Sequence, residues 1–205
     1  MFGWLWNIVS KIAVEPIKKM TVDYQHLYDT AEINGQKIPE LKSVVKRIRE
    51  GQPRYELVAQ ALGNGIPWWF IGITHFMEAG AFKFPFNYHL HCGDPLTART
   101  VHVPKGRPKA DPVAGIGKAY GWEESALDAL NYMGYDRQTV WDIPACLFLF
   151  EKFNGLGYNK RGMLSPYLWS YTNHYVKGKF VLDGKFDPEA VSKQPGCAAI
   201  LKLLL

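Results

Sequence analysis

The sequence has little of what would place it in several large protein classes. Its three cysteines, Cys92, Cys146 and Cys197, are too few and too scattered for a disulfide framework, so folding in reducing surroundings is expected. The apolar stretch at the start, Met1–Val14, is interrupted by Lys11. It is shorter than the roughly 20 residues a bilayer-spanning helix needs. It lacks a basic leading region and so makes a poor signal peptide. No segment repeats, and no low-complexity linker divides the chain. The phosphate-binding P-loop, the GxGxxG turn, the GxSxG elbow, HExxH and paired CxxC are all missing, and Ala114-Gly115-Ile116-Gly117 is too short to cradle a phosphate. No RNA- or DNA-binding signature is present, so nucleic acid is not an expected partner.

What the chain does have is aromatic surface and positive charge. Its 205 residues include 7 Trp, 11 Tyr and 11 Phe, and its formal net charge is +5. That length suits one domain, or one domain with a small lobe, and a monomer is expected. Aromatic faces suit sugars and bases, although each Trp taken alone is better read as core. A basic surface favours anionic partners such as a cell-wall polymer or anionic lipid.

Helical periodicity dominates. Helices are expected over residues 17–29, from Pro39-Glu40 to Gly51 with Leu41, Val44, Val45 and Ile48 on one face, over 54–62, and from Pro67 to about Ala79. The last is apolar nearly all round and should lie at the centre. Further helices are expected at 122–133 and from Ile143 to Phe153, with a partly helical turn near Pro166–Tyr171. Asp187-Pro188-Glu189 reads as a cap and first turn of a final helix, which Pro195 breaks before Ala198–Leu204. Between helices, residues 82–113 hold five prolines. There Thr97–Val103, rich in Thr and Val, suggests a short strand or hairpin. The fold class is therefore mainly α (α+β): a helical domain with a small lobe containing a β-hairpin. Phe2, Trp6, Val9 and Ile12 lie near helical spacing. They read as a helix packed on the domain, with weak membrane contact by an interfacial helix as the alternative.

Glu78 stands near the end of the apolar helix, in His75-Phe76-Met77-Glu78-Ala79-Gly80. A carboxyl beside so much apolar surface should hold its proton near neutral pH and be able to donate it. Asp94, in the turn Cys92-Gly93-Asp94-Pro95, should sit in a wetter place and stay ionised. Thr97 and Thr100 follow and could orient a water. His89, His91, Cys92, Asp94 and His102 are residue types that ligate zinc, yet their spacing matches no zinc motif, so neither metal nor cofactor is expected. His75 could join either group.

The chain resembles phage endolysins and related bacterial peptidoglycan hydrolases of the lysozyme-like superfamily. The resemblance rests on Asn87-Tyr88-His89-Leu90-His91-Cys92-Gly93-Asp94-Pro95-Leu96-Thr97-Ala98-Arg99-Thr100-Val101-His102-Val103-Pro104, on Trp122–Leu130, and on Ser165-Pro166-Tyr167-Leu168-Trp169 with Thr172-Asn173-His174-Tyr175. It implies a lysozyme-like catalytic domain over 36–205, preceded by a helical extension over 1–35. Goose-type lysozymes and lytic transglycosylases end an early helix with a catalytic Glu, which Glu78 resembles. They carry a Tyr-Asn-Ala-Gly-like element after a later helix, to which Phe153-Asn154-Gly155 is similar. Many phage lysozymes place Asp and Thr with five residues between them, as Asp94 and Thr100 stand here, although the interval from Glu to Asp is longer in this chain.

The resemblance implies cleavage of the β-1,4 bond between N-acetylmuramic acid and N-acetylglucosamine. Glu78 would be general acid, and Asp94 with Thr100 would hold water or stabilise charge on the sugar. Carboxyls about 5 Å apart imply retention and about 6.5–9.5 Å inversion. His91, Thr97, Phe153, Asn154, Tyr158 and Tyr167 are the expected substrate contacts, with Trp68, Trp69 and Tyr88 as further groove candidates. Such an enzyme is made in the host cytoplasm and acts on the wall. Three alternatives stay open: a lytic transglycosylase using Glu78 as acid and base, a zinc amidase or peptidase built on His89, His91 and His102, and a non-catalytic wall-binding module.

Overall fold

A computed structural model describes residues 22–79, 86–182 and 184–205. The expected membrane contact and most of the N-terminal extension fall in 1–21 and lie outside the described residues.

The chain is mainly helical, and its helices follow the apolar periodicity. Helix α1 (Tyr24–Thr30) is capped by Asp23, whose carboxylate accepts from the His26 backbone N–H. Helix α2 (Ile38–Glu50) buries the expected face of Leu41, Val44, Val45 and Ile48. Helices α3 (Gln52–Leu62) and α4 (Trp68–Ala79) follow. In α4, every residue from Phe70 to Met77 is buried, so this helix does run through the centre. Its neighbours are α2, α3 and α8 (Cys197–Leu204). The approach of α2 and α3 depends on Gly72. A Cβ there would meet Ile48 at 2.8 Å and Tyr55 at 2.9 Å, closer than packed atoms tolerate. Helices α5 (Trp122–Tyr132) and α6 (Ile143–Asn154) complete the frame. Phe150 of α6 stacks on Phe70 of α4 with centroids 4.4 Å apart. Short α7 (Pro166–Trp169) packs between α6 and α8.

Residues 22–35 share this core. Tyr24 is buried and its hydroxyl donates to the buried Glu151 of α6. The segment after α1 is sewn to the Thr172-Asn173-His174 stretch. The Glu32 backbone N–H donates to the Asn173 side-chain carbonyl (2.9 Å) and the Asn173 backbone N–H to the Glu32 carbonyl (3.0 Å).

Two expectations need correction. Among the described residues the antiparallel hairpin is β1 (Lys179–Leu182) with β2 (Lys185–Asp187), pairing Phe180 with Phe186. Thr97–Val103 instead forms turns and bends, because Thr100 bonds across to Gly106 and Arg107 and folds the segment on itself. A single bridge, Tyr88 to Pro95, lies just upstream. Nor does Asp187 start a helix. Its carboxylate accepts from the Glu189 and Ala190 backbone N–H groups, closing a turn after β2. Residues 188–194 offer a helix no apolar face, and Val191 is 55% exposed. The last helix waits for Gly196, whose backbone lies against the Leu168 carbonyl of α7, where a Cβ has no room.

Candidate functional site

The last turn of α4 brings Glu78 beneath α7. Ser165 caps α7, its hydroxyl accepting from the Tyr167 backbone N–H at 3.2 Å, and this fixes the Tyr167 side chain. The Tyr167 hydroxyl donates to Glu78 Oε1 at 2.8 Å. Gln194, on the irregular segment leading to α8, donates to the Met77 carbonyl at 3.1 Å and ties that segment to the same helix end. Glu78 is half-buried. Burial pushes its carboxyl up to about 7, against the opposing pull of the Tyr167 hydrogen bond. A carboxylic acid that keeps its proton near neutral pH is a competent donor.

Tyr167 also faces outward, into a groove. It lines a cavity of about 160 Å³ with Asn154, Tyr158, Lys179, Phe180, Ser192 and Gln194. That cavity shares Asn154, Tyr158 and Phe180 with a neighbour of about 450 Å³, which runs on over Gly155, Gly157, Leu182 and Gly184. Tyr158 forms the floor: it is buried, and its hydroxyl accepts from the Phe180 backbone N–H at 2.8 Å. The hairpin closes one side, with Phe180 and Phe186 edge-on to Tyr158 and the Arg161 guanidinium over both phenyl rings. Asn154, Tyr158 and Tyr167 thus come together from α6, the segment after it and α7.

Comparison with protein families, with curated proteins and with solved structures finds no match. Assignment therefore rests on the chemistry of the residues themselves.

The other expected residues gather in the loop between α4 and α5. Asp94 is buried, and four donors hold it: the backbone N–H groups of Val101 (2.8 Å) and His102 (3.0 Å), His102 Nδ1 (2.6 Å) and the Cys92 thiol (3.2 Å). Burial alone would raise its pKa. The hydrogen bonds from His102, Cys92 and Val101 outweigh burial and hold the carboxylate well below its ordinary range. Thr100 is buried and its hydroxyl is engaged twice, donating to the Pro104 carbonyl and accepting from the Arg107 backbone N–H at 2.9 Å. Thr97 is exposed. Phe153 turns away from the groove, half-buried against Tyr135. Trp68 and Trp69 pack against the core.

Burial, Asp94 and the charge of Glu78 together push the Cys92 thiol up to about 11.

The three histidines take three different partners. His89 bonds Ser125 through Nδ1 and the Ala98 carbonyl through Nε2. His102 bonds Asp94. His91 Nε2 lies 2.8 Å from Asp128, which also receives a two-pronged Arg107 guanidinium at 2.6 and 2.9 Å. Among the described residues no group of three such side chains could hold a metal ion. His75 faces Tyr55, 3.0 Å from its hydroxyl, while Glu78 faces Tyr167. Burial drives His75 down to about 3 and keeps it neutral.

Sequence reasoning missed Asp128, Arg107, Lys179 and Gln194. Arg107 and His91 lie 21 and 37 residues from Asp128, so no local pattern joins them. Gln194 and Lys179 sit on irregular chain and a hairpin edge, where periodicity is silent.

Proposed function

We propose that the protein cleaves the glycan strand of peptidoglycan, at the β-1,4 bond between N-acetylmuramic acid and N-acetylglucosamine, with Glu78 as general acid. The observation that carries this reading is a half-buried carboxyl with its pKa raised to about 7, hydrogen-bonded to the hydroxyl of Tyr167, whose side chain lines an aromatic groove. Protonation of the departing glycosidic oxygen needs such a group. Tyr158, Tyr167 and Phe180 supply apolar faces for sugar rings, and Asn154 supplies an amide for their hydroxyl and acetamido groups. On this reading the helical frame with its small hairpin lobe is a variant of the lysozyme-like arrangement. The +5 charge favours residence on an anionic wall, and the protein is made in the host cytoplasm as a phage endolysin that reaches the wall from there.

The state of Asp94 favours a second reading of the same site. Both its oxygens are taken up by hydrogen bonds within its own loop, so it is poorly placed to activate water. Glu78 then works alone, first as acid and then as base, and the sugar's own 6-hydroxyl attacks, as in a lytic transglycosylase. Mass spectrometry of muropeptides released from purified peptidoglycan tests both. Reducing ends mark hydrolysis and anhydro-muramic ends mark transglycosylation. Release of free stem peptides with intact glycan would overturn the glycan reading in favour of an amidase.

A further inference from the structure

The loop between α4 and α5 carries a surface that the cleavage chemistry leaves unexplained. Among the described residues eleven large hydrophobic side chains are strongly exposed. Four of them fall between Val101 and Ile116: Val101 (66%), Val103 (70%), Val113 (88%) and Ile116 (84%). Of the other seven, Val176, Val181, Leu182 and Val191 lie along and beside the β1–β2 hairpin, and Leu57, Val140 and Leu205 stand apart. Four such groups on two successive turns of one loop offer apolar surface to a partner.

The loop that bears them is tightly built. Arg99 acts as a clamp, donating to the carbonyls of Pro108 (2.9 Å), Lys109 (3.2 Å) and Ala110 (3.3 Å) and to the Asp111 carboxylate (2.7 Å). One turn leaves this clamp at Thr100 and returns at Arg107, where the Thr100 backbone N–H donates to the Arg107 carbonyl at 2.8 Å. That turn carries Val101 and Val103. The next leaves at Pro112 and closes through Gly115 and Lys118, and it carries Val113 and Ile116. Tyr120 braces the clamp through the Ala110 carbonyl, and Glu124 accepts from the Val113 backbone N–H. The aliphatic tips are therefore held out on an ordered scaffold.

Positive charge accompanies them. Arg99 is paired with Asp111 and Arg107 with Asp128. Lys105, Lys109 and Lys118 are exposed, and no ion pair among the described residues uses them. The Lys109 ammonium lies beside Gly106, at the tip of the first turn.

We infer that the two turns carrying Val101, Val103, Val113 and Ile116, with Lys105, Lys109 and Lys118 around them, dock the protein on an anionic lipid bilayer. Aliphatic tips gain free energy on leaving water for the acyl boundary, and lysines reach back to the lipid phosphates. A soluble polyanion would reward the lysines and leave the aliphatic groups in water. Protein interfaces are depleted in Lys and enriched in aromatic anchors, the reverse of this patch. The inference is independent of the glycan-cleaving reading.

Co-sedimentation of the full chain with extruded vesicles tests it. Binding is expected on equimolar phosphatidylglycerol and phosphatidylcholine, falling with salt, and far weaker binding on phosphatidylcholine alone. V113D/I116D is expected to cut partitioning by roughly tenfold or more, and K105A/K109A/K118A by a similar factor at low salt. Unchanged thermal unfolding in both variants keeps the comparison clean. The inference is overturned if both variants bind as the wild type does, which would place binding elsewhere in the chain. It is equally overturned if the lysine variant loses binding while V113D/I116D keeps it, since that is the behaviour of a polyanion site.

Discussion

Glu78 and Asp94 are the same functional group in opposite settings. Both are withdrawn from water, yet one is pushed up to about 7 and the other held well below the ordinary carboxylate range. Desolvation dominates at Glu78, and donors dominate at Asp94. Among the described residues Glu78 has a single hydroxyl from Tyr167, whereas Asp94 receives two backbone N–H groups, an imidazole and a thiol. Each donor stabilises the ionised form, and enough of them outweigh the desolvation that burial imposes. The carboxyl with one partner keeps a proton to give. The carboxylate with four is ionised and fixed, and its work is to hold its own loop together.

The largest expected effect follows from exchanging the carboxyl proposed as general acid. Glu78→Gln keeps size and hydrogen bonding but removes the acid, so release of soluble glycan fragments should fall roughly a hundred- to ten-thousandfold while the circular dichroism spectrum is unchanged. Activity within threefold of wild type would remove Glu78 from the chemistry. Asp94→Ala should show the opposite division. Loss of a buried acceptor with four donors lowers unfolding stability by about 3 kcal/mol, read from urea titration, while the folded fraction keeps activity within about tenfold. A variant with normal stability and no activity would reverse the roles given to the two carboxylates.

The sequence makes one side of this contrast legible. A helix apolar nearly all round predicts that Glu78 at its end is withdrawn from water with a raised pKa, and Glu78 is half-buried with its carboxyl pushed up to about 7. Helices α2 to α6 are legible for the same reason, since period and caps are local properties of the chain. Asp94 was expected to be wet and ionised; it is ionised, but buried. Its donors come from Val101 and His102, brought back by a loop closed through Thr100, Gly106 and Arg107 that leaves no periodic trace. The alternation of Thr and Val at 97–103 suggests a strand, but hydrogen bonding within the loop prevails over that weak propensity. The hairpin at 179–187 escapes detection because its apolar members, Phe180 and Phe186, pack on Tyr158 from a distant part of the chain.

The two carboxylates should also pull stability in opposite directions with pH. The folded chain holds the Glu78 proton up to about pH 7, whereas an unfolded carboxyl releases it near its ordinary value. Stability from this group is therefore full below that ordinary value, declines as pH rises, and is gone above about 7. Asp94 contributes above its ordinary value, and that contribution is lost as pH falls below it. Glu78→Gln has no proton to lose, so it should become more stable than wild type as pH rises from 5 to 8, by on the order of 2 kcal/mol after allowing for partial exposure. Chemical denaturation at several pH values measures this. A constant gap between the two proteins would mean that the Glu78 carboxyl is not perturbed.

The smallest effect isolates the Tyr167 hydroxyl, the donor to Glu78 among the described residues. Tyr167→Phe removes the hydroxyl that favours the ionised carboxylate and leaves the ring in the groove. The Glu78 pKa should rise further, moving the alkaline limb of the activity profile upward by less than about one pH unit. Stability at pH 5 should barely change, because a protonated Glu78 gains little from that hydroxyl. A ring that merely fills space would leave the limb where it is. A hydroxyl that contacts the sugar would raise KM and leave the pH dependence unchanged. Movement of the limb alone identifies the Tyr167 hydroxyl as a positioning group, acting through the Glu78 carboxyl.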